Sequence, residues 1–307
     1  MPNAFRGCRA LPSMIRCATS AERFNDAMAV ATKRDLERRQ RRWAEQAGIE
    51  IDAAGFVRDE AANLRVPLSA AAQLGFERGS ERAARRTLPA RMRALHSSAA
   101  LVANVFDYWT GRDAAPLTRA LGLGTNSASL AFEEPLPTGL EGDPPAADVL
   151  VRFASGYVVA IESKFTEWLV RKPRNKAVLK TKYFPRGVQL WAQHGLPRCQ
   201  RLAEGLQSGV ERFRFLHAAQ LLKHALGLAM TAPRGFELRY LYYDWPAREA
   251  AEHRAEIERF ADAVAPELAF RASTYQSLFA ALALDPSVER AYLDYLRARY
   301  FPELARR

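Results

Sequence analysis

A chain of 307 residues with 49% apolar and 26% charged residues has the composition of an ordinary globular protein, which excludes disorder as the default state. Its formal charge of +11 favours polyanionic partners, nucleic acid first and an anionic membrane surface second. No apolar run reaches the roughly 18 residues that cross a bilayer, and Cys8, Cys17 and Cys199 fit neither a disulfide framework nor a zinc site. The first twenty residues carry three arginines and no acid, a faint likeness to a transit peptide, but lack the apolar segment of a signal peptide. A reducing, cytoplasmic setting is therefore expected, with no membrane partner.

Residues 33–47 are predicted helical, with Thr32 as N-cap and Gly48 as stop. Only Leu36, Trp43 and the alanines offer apolar contact. Arg38, Arg39, Arg41 and Arg42 spread around the cylinder, so a solvated surface helix able to touch phosphates is expected. A short hairpin over 49–58 turns at Ala53-Ala54-Gly55, and a second Arg-rich helical patch covers 80–86. A boundary at Pro89 divides an Arg-rich, mostly helical N-terminal region, 1–88, from the main domain, 89–307.

Met92, Leu95, Ala99, Val102, Val105, Phe106 and Trp109 recur at helical spacing and predict one long amphipathic helix over 90–110, closed by Gly111 and lying on a sheet. On it, His96-Ser97-Ser98 reads as packing at a helix N-terminus, because adjacent residues on one helix do not set a base against a hydroxyl. Gly122-Leu-Gly-Thr is a turn after a short helix and lacks the strand-then-helix frame of a dinucleotide loop. Three strands follow: 127–134, then after a Pro- and Gly-rich loop one beginning at Asp148, then 157–164. Beyond them come a helix over 213–230, a strand over 236–243, a helix over 248–263, a short strand over 268–273, and helices through Ala281 and over 288–299. This order predicts an α/β fold, a mixed sheet with helices on both faces.

The strand over 157–164 reads Tyr-Val-Val-Ala-Ile-Glu-Ser-Lys, an apolar run that ends on a carboxylate and an amine two positions apart. Side chains alternate across a strand, so Glu162 and Lys164 emerge on one face and Ser163 on the other. Asp148, which opens the neighbouring apolar run, completes a trio that converges across strands. Two carboxylates such as Asp148 and Glu162 can hold Mg²⁺ through oxygen, and the Ser163 backbone carbonyl is a candidate further ligand. Lys164 then orients or deprotonates a water, or stabilises negative charge developing on a phosphate. Five of the seven lysines lie between Lys164 and Lys182, and Lys172, Arg174, Lys176, Lys180 and Lys182 form a cationic rim for DNA beside this strand.

Asp148 followed by Glu162-Ser-Lys164 resembles the PD-(D/E)xK nuclease superfamily. His96-Ser-Ser-Ala-Ala-Leu, Phe132-Glu133-Glu-Pro-Leu-Pro-Thr-Gly and Glu162-Ser-Lys-Phe-Thr-Glu167 look like its restriction-endonuclease-like group of bacterial proteins. The resemblance covers roughly 89–245. It implies a restriction-endonuclease-like core and metal-dependent cleavage of DNA, with Mg²⁺ as cofactor and Mn²⁺ able to substitute. Asp148 and Glu162 become metal ligands and Lys164 the catalytic lysine. Where the superfamily has a proline close before the aspartate, this chain has Ala146-Ala147, and the carboxylate is unaffected. Many members also carry an acid on the helix before the first core strand, where this chain offers only Asp107 near the helix end; Glu133 is the choice in its place and Glu134 its competitor. Glu167 is expected beside Lys164. Gln220, four residues before His224 on the later helix, matches a glutamine that several members pack against the site, while His224 alone reads as a surface residue. Among the tryptophans only Trp168, beside the cationic rim, is considered for stacking on a base. Cutting both strands of a duplex favours a homodimer, and a non-catalytic nucleic-acid-binding protein with the same fold is the alternative function.

Overall fold

The computed structural model describes residues 31–82, 92–124, 128–173 and 178–302. Helix α1, Lys33–Gln46, starts where Thr32 and Asp35 cap it reciprocally, and Gly48, with φ of 68°, ends the turn that follows. Helix α2 is Ala70–Arg82, α3 Ser98–Phe106 and α4 Ala115–Ala120. Strands β1, Ala128–Pro135, β2, Ala146–Phe153, and β3, Val158–Lys164, follow in succession. Helices α5, Leu190–Gln193, α6, Pro197–Ser208, and α7, Ala218–Thr231, form the long crossover to β4, Phe236–Tyr242. Helix α8, Ala250–Val264, leads to β5, Phe270–Thr274, and α9, Tyr275–Leu284, and α10, Arg290–Tyr300, close the described chain.

The strands line up in sequence order, β1-β2-β3-β4-β5. The first three are antiparallel hairpin partners, whereas β3, β4 and β5 run parallel, so the sheet is mixed and changes character at β3. Central β3 is buried at six of its seven positions, the pattern of a strand covered on both faces. Helix α7 packs on β3 and β4, α3 on β2 and β3, and α2 along β1. Glycines let α2 approach: a Cβ at Gly75 would overlap the Phe132 carbonyl, and one at Gly79 would lie 2.6 Å from Glu133 Oε2. No helix among the described residues is long and apolar enough to cross a membrane.

The α/β class, the mixed sheet and its helical cover agree with the pattern of the sequence; three local expectations do not. Helix α1 is not a solvated cylinder. Arg39 and Gln40 are buried, with Arg39 Nη2 donating to Tyr243 Oη at 2.6 Å and Gln40 Nε2 donating to the Arg299 carbonyl at 3.2 Å. The helix expected over 90–110 begins only at Ser98, because Ser97 caps it and residues 93–95 pair instead with the 51–57 hairpin through Val57 N–H to Arg93 O and Leu95 N–H to Gly55 O. Helix α7 starts at Ala218 and not near Phe213, because buried Glu256 of α8 accepts from the N–H groups of Arg214, Phe215 and Leu216 at 2.5, 2.9 and 2.8 Å and holds them out of a helix. The boundary at Pro89 and the end of the patch over 80–86 lie outside the described residues.

Candidate active site

The β2–β3 register pairs Val149 with Ile161, so the next step outward sets Asp148 directly across from Glu162. Cross-strand neighbours of this kind stand with Cβ atoms about 4.5–5.5 Å apart. Ser163 N–H donates to Asp148 Oδ2 at 2.7 Å, fixing the aspartate against the end of β3. The Ser163 side chain points to the opposite face and pairs its hydroxyl with that of Tyr275 at 2.7 Å. The alternation expected for this strand therefore holds, with α7 over the Glu162 face and α9 over the other.

Glu162 is 1% exposed. Its Oε1 takes the Lys164 ammonium, which also donates to the Ser163 carbonyl at 3.1 Å. Its Oε2 has no hydrogen bond, and His224 Nδ1 lies 3.4 Å from it. Burial and the Glu162 charge push the Asp148 carboxyl well above the usual range, Lys164 offsets this in part, and Glu133 adds to the rise. For Lys164 burial alone would lower the pKa, but Glu162, Asp148 and Glu167 outweigh it, and the amine stays protonated.

Glu133 follows the same transverse line. The β1–β2 register is continuous on either side, Phe132 with Val149 and Glu134 with Ala147, so Glu133 stands across from Asp148. The pair is missing from the ladder because Glu133 is left-handed, with φ of 46°, the one non-glycine residue so placed among those described. Strain of this kind costs on the order of 1–3 kcal/mol and collects at functional sites. Its carboxylate lies against Gly79 of α2. Glu134, the competing acid, is engaged elsewhere, accepting from Arg152 at 2.7 Å.

Glu167 accepts from Phe165 N–H at 2.8 Å. Burial raises its carboxyl, but the Lys164 charge and the Ser98 hydroxyl prevail and hold it below its ordinary value. The His96-Ser97-Ser98 segment thus serves twice: Ser97 caps α3, with its Oγ accepting from Ala100 N–H at 3.1 Å, and Ser98 braces the acid beside Lys164.

Two side chains on α7 differ from expectation. His224 is not at the surface; it is fully buried against Glu162, and burial, with Lys223 and Lys164, holds its imidazole down to about 3. Its apolar neighbours Leu221, Leu222, Ala225 and Leu228 were the available signal of burial. Gln220 lies one turn earlier, half-buried. Of the cationic rim, Lys172 donates to the Glu167 carbonyl at 3.0 Å, Lys180 is exposed, and Lys182 donates to the Glu141 carbonyl; Arg174 and Lys176 lie outside the described residues. Trp168 is no platform for a base. It is fully buried, stacked on His253 with ring centroids 4.4 Å apart, and donates from its indole to the Tyr243 carbonyl at 3.0 Å. Cys199 is a buried free thiol pushed up to about 12 by burial and Glu267.

Among the described residues, no three His, Cys, Asp or Glu side chains converge closely enough to hold a metal by themselves. What does converge is a pair of opposed carboxylates, a peptide carbonyl and an ammonium where the inner strands β2 and β3 meet at one end of the sheet. No curated protein and no solved structure matches the chain. A family model described as Restriction Endonuclease associating with ARP matches residues 38–301, a span that runs from within α1 to the end of α10. The chain belongs to this restriction-endonuclease-like family.

Proposed function

We propose that the chain hydrolyses DNA phosphodiester bonds as a metal-dependent endonuclease of the PD-(D/E)xK type, using Mg²⁺ and accepting Mn²⁺. The observation that carries this reading is the opposition of Asp148 and Glu162 across β2 and β3, with the Lys164 ammonium resting on Glu162 Oε1 and on the Ser163 carbonyl. Those oxygens are the hard donors that Mg²⁺ prefers. Glu162 Oε2, buried and without a hydrogen bond, is a further donor in need of a cation. Asp148, Glu162 and the Ser163 carbonyl would hold the ion, with water and substrate phosphate completing its shell and Glu133 close by. When bound, a divalent cation supplies polarisation of the phosphate and a water of lowered pKa.

The protein's own residues do the rest. Three carboxylates raise the pKa of Lys164, so it acts as an ammonium that stabilises negative charge on the phosphate and not as a base. Glu167, braced by Ser98, keeps that ammonium charged and aimed. His224 walls Glu162 off from water on the α7 side, and Gln220, one turn away, orients the lysine or a phosphate.

A plasmid-nicking assay tests the reading. Wild type should nick with Mg²⁺ or Mn²⁺ and not in EDTA. Asp148→Ala and Lys164→Ala should each abolish nicking while DNA retention in a mobility-shift assay persists. Metal-dependent nicking that survives in both variants overturns the assignment, and retention without nicking by the wild type favours a DNA-binding protein that uses the fold alone.

A further inference from the structure

Beside the Glu162 face of α7 lies a cavity of about 320 Å³. Its size is at the lower end of ligand pockets, which run from about 300 to 1,000 Å³. Its chemistry is split. One part is cationic, with the amines of Lys180, Lys182 and Lys223 around it; the other is formed by Pro144, Pro145 and the nearly buried ring of Tyr183. Asp143 is the acid in the lining, so three ammonium groups stand against one carboxylate.

These lysines are not consumed by the fold. Among the described residues none of the three makes an ion pair; Lys182 donates to the Glu141 carbonyl and lies 5.5 Å from the Tyr183 ring centroid. They also crowd one another. Burial lowers the Lys223 ammonium, Glu162 pulls the other way, and Lys180 and Lys182 lower it further. His217, also in the lining, is held down to about 4 by burial and by Lys164 and Lys172, so it adds no charge to this wall near pH 7. The same groups sense Glu162 and Lys164, which sets the cavity next to the candidate active site. A clustered, mutually repelling cationic wall calls for an anion, and an adjoining wall of proline and tyrosine calls for something flat and apolar attached to it.

We propose that this cavity is a nucleotide subsite: Lys180, Lys182 and Lys223 take the phosphate, and Pro144, Pro145 and Tyr183 take the sugar and base. Resting on the nuclease reading, the nucleotide is the one that flanks the scissile bond on the cleaved strand. Clasping it fixes the register of the strand against Asp148 and Glu162, so the lysines are positioning residues and not catalytic ones.

Calorimetric titration of the full chain in EDTA with dTMP, thymidine and inorganic phosphate tests the site without turnover. Binding of dTMP should be at least tenfold tighter than that of either fragment. Lys223→Met should weaken it at least tenfold, and Lys180→Met, at an exposed position that leaves the fold undisturbed, should weaken it several-fold. Equal binding of dTMP and thymidine, equal binding of dTMP and inorganic phosphate, or unchanged dTMP affinity in both variants overturns the proposal. Plasmid nicking by the wild type reports on the other reading separately. Nicking without dTMP binding removes the subsite and leaves the nuclease, whereas dTMP binding without nicking removes the nuclease and the flanking role and leaves a nucleotide site.

Discussion

Replacing Asp148 by Asn should make the metal-free protein more stable and, on the proposed nuclease reading, abolish nicking. The side chains have the same shape, and the Asn carbonyl can still accept the Ser163 N–H now held at 2.7 Å. What disappears is one of two negative charges set directly across a strand pair. At a separation of about 5.5 Å and an effective dielectric of about 20, two like charges repel by roughly 3 kcal/mol. Lys164 offsets part of this and Asp148 is partly exposed, so the net gain is expected at about 1–2 kcal/mol, a size common for stabilising changes at active sites. The pH dependence has a definite sign. A carboxyl whose pKa is raised by folding is bound to its proton more tightly in the fold, so its contribution is most favourable in acid and is lost as pH rises from the unfolded value of about 3.9 through the folded one. The advantage of Asn should therefore grow as pH rises through the folded pKa of Asp148 and shrink on acidification as Asp148 takes up its proton. Urea unfolding in EDTA, followed by circular dichroism, measures it, and Mg²⁺ should then stabilise the wild type more than the variant. A variant less stable than wild type in EDTA at neutral pH would refute the claim that the opposed acids repel.

Two further changes test how the frame around the site is held. His253 is fully buried, hydrogen-bonded to Tyr240 Oη at 2.9 Å and held down to about 3 by burial, Lys172 and Arg254, so the unfolded chain takes up a proton near pH 6.5 that the fold refuses. Stability should drain away as pH falls from about 6.5, by about 2 kcal/mol at pH 5 from this residue, and His253→Gln should lose less over the same interval in urea unfolding. Glu256→Gln replaces the charged acceptor of three backbone N–H groups ahead of α7; it should lower stability by about 2–3 kcal/mol and reduce nicking, because the segment that delivers His217, Lys223 and His224 is no longer pinned, and a urea midpoint equal to that of the wild type would remove this role.

Legibility in the sequence followed the range of the forces involved. Strand alternation is local, so the ending of β3 on Glu162 and Lys164, and the partner strand carrying Asp148, could be read directly. The caps at Thr32 and Ser97 were also local; Ser97 even marked where α3 begins, though the apolar spacing from Met92 onward masked it. That spacing belongs to residues that meet the 51–57 hairpin, a contact no window of sequence contains. Helix α6 went unread despite opening on Pro197 and ending on Gly209 in the left-handed region. Arg39, Glu256 and His224 look like surface residues because their types usually are; their burial depends on Tyr243, on the backbone ahead of α7 and on Glu162, all supplied from elsewhere in the chain. The left-handed backbone at Glu133 has no sequence signal, since glutamate does not favour that conformation.

A second acid-x-base pattern on the next strand separates signal from coincidence. Glu237 and Arg239 on β4 are as buried as Glu162 and Lys164 on β3 and are likewise paired, Arg239 Nε to Glu237 Oε1 at 2.5 Å. Yet Glu237 stands beside Val159 of β3 and is met by a second cation, Arg271, at 3.7 Å, while the Arg239 guanidinium is also spent on the Leu121 carbonyl. There the positive charge exceeds the negative, and the pair closes one end of the sheet. At Glu162 the balance is reversed: Asp148 lies opposite, Glu167 is close, and the Lys164 amine faces all three acids. Buried ion pairs are common in structural roles, whereas a buried excess of carboxylate is unstable unless a cation arrives. It is this uncompensated charge at β2–β3, and not the spacing of two residues along a strand, that singles out Glu162 and Lys164 over Glu237 and Arg239.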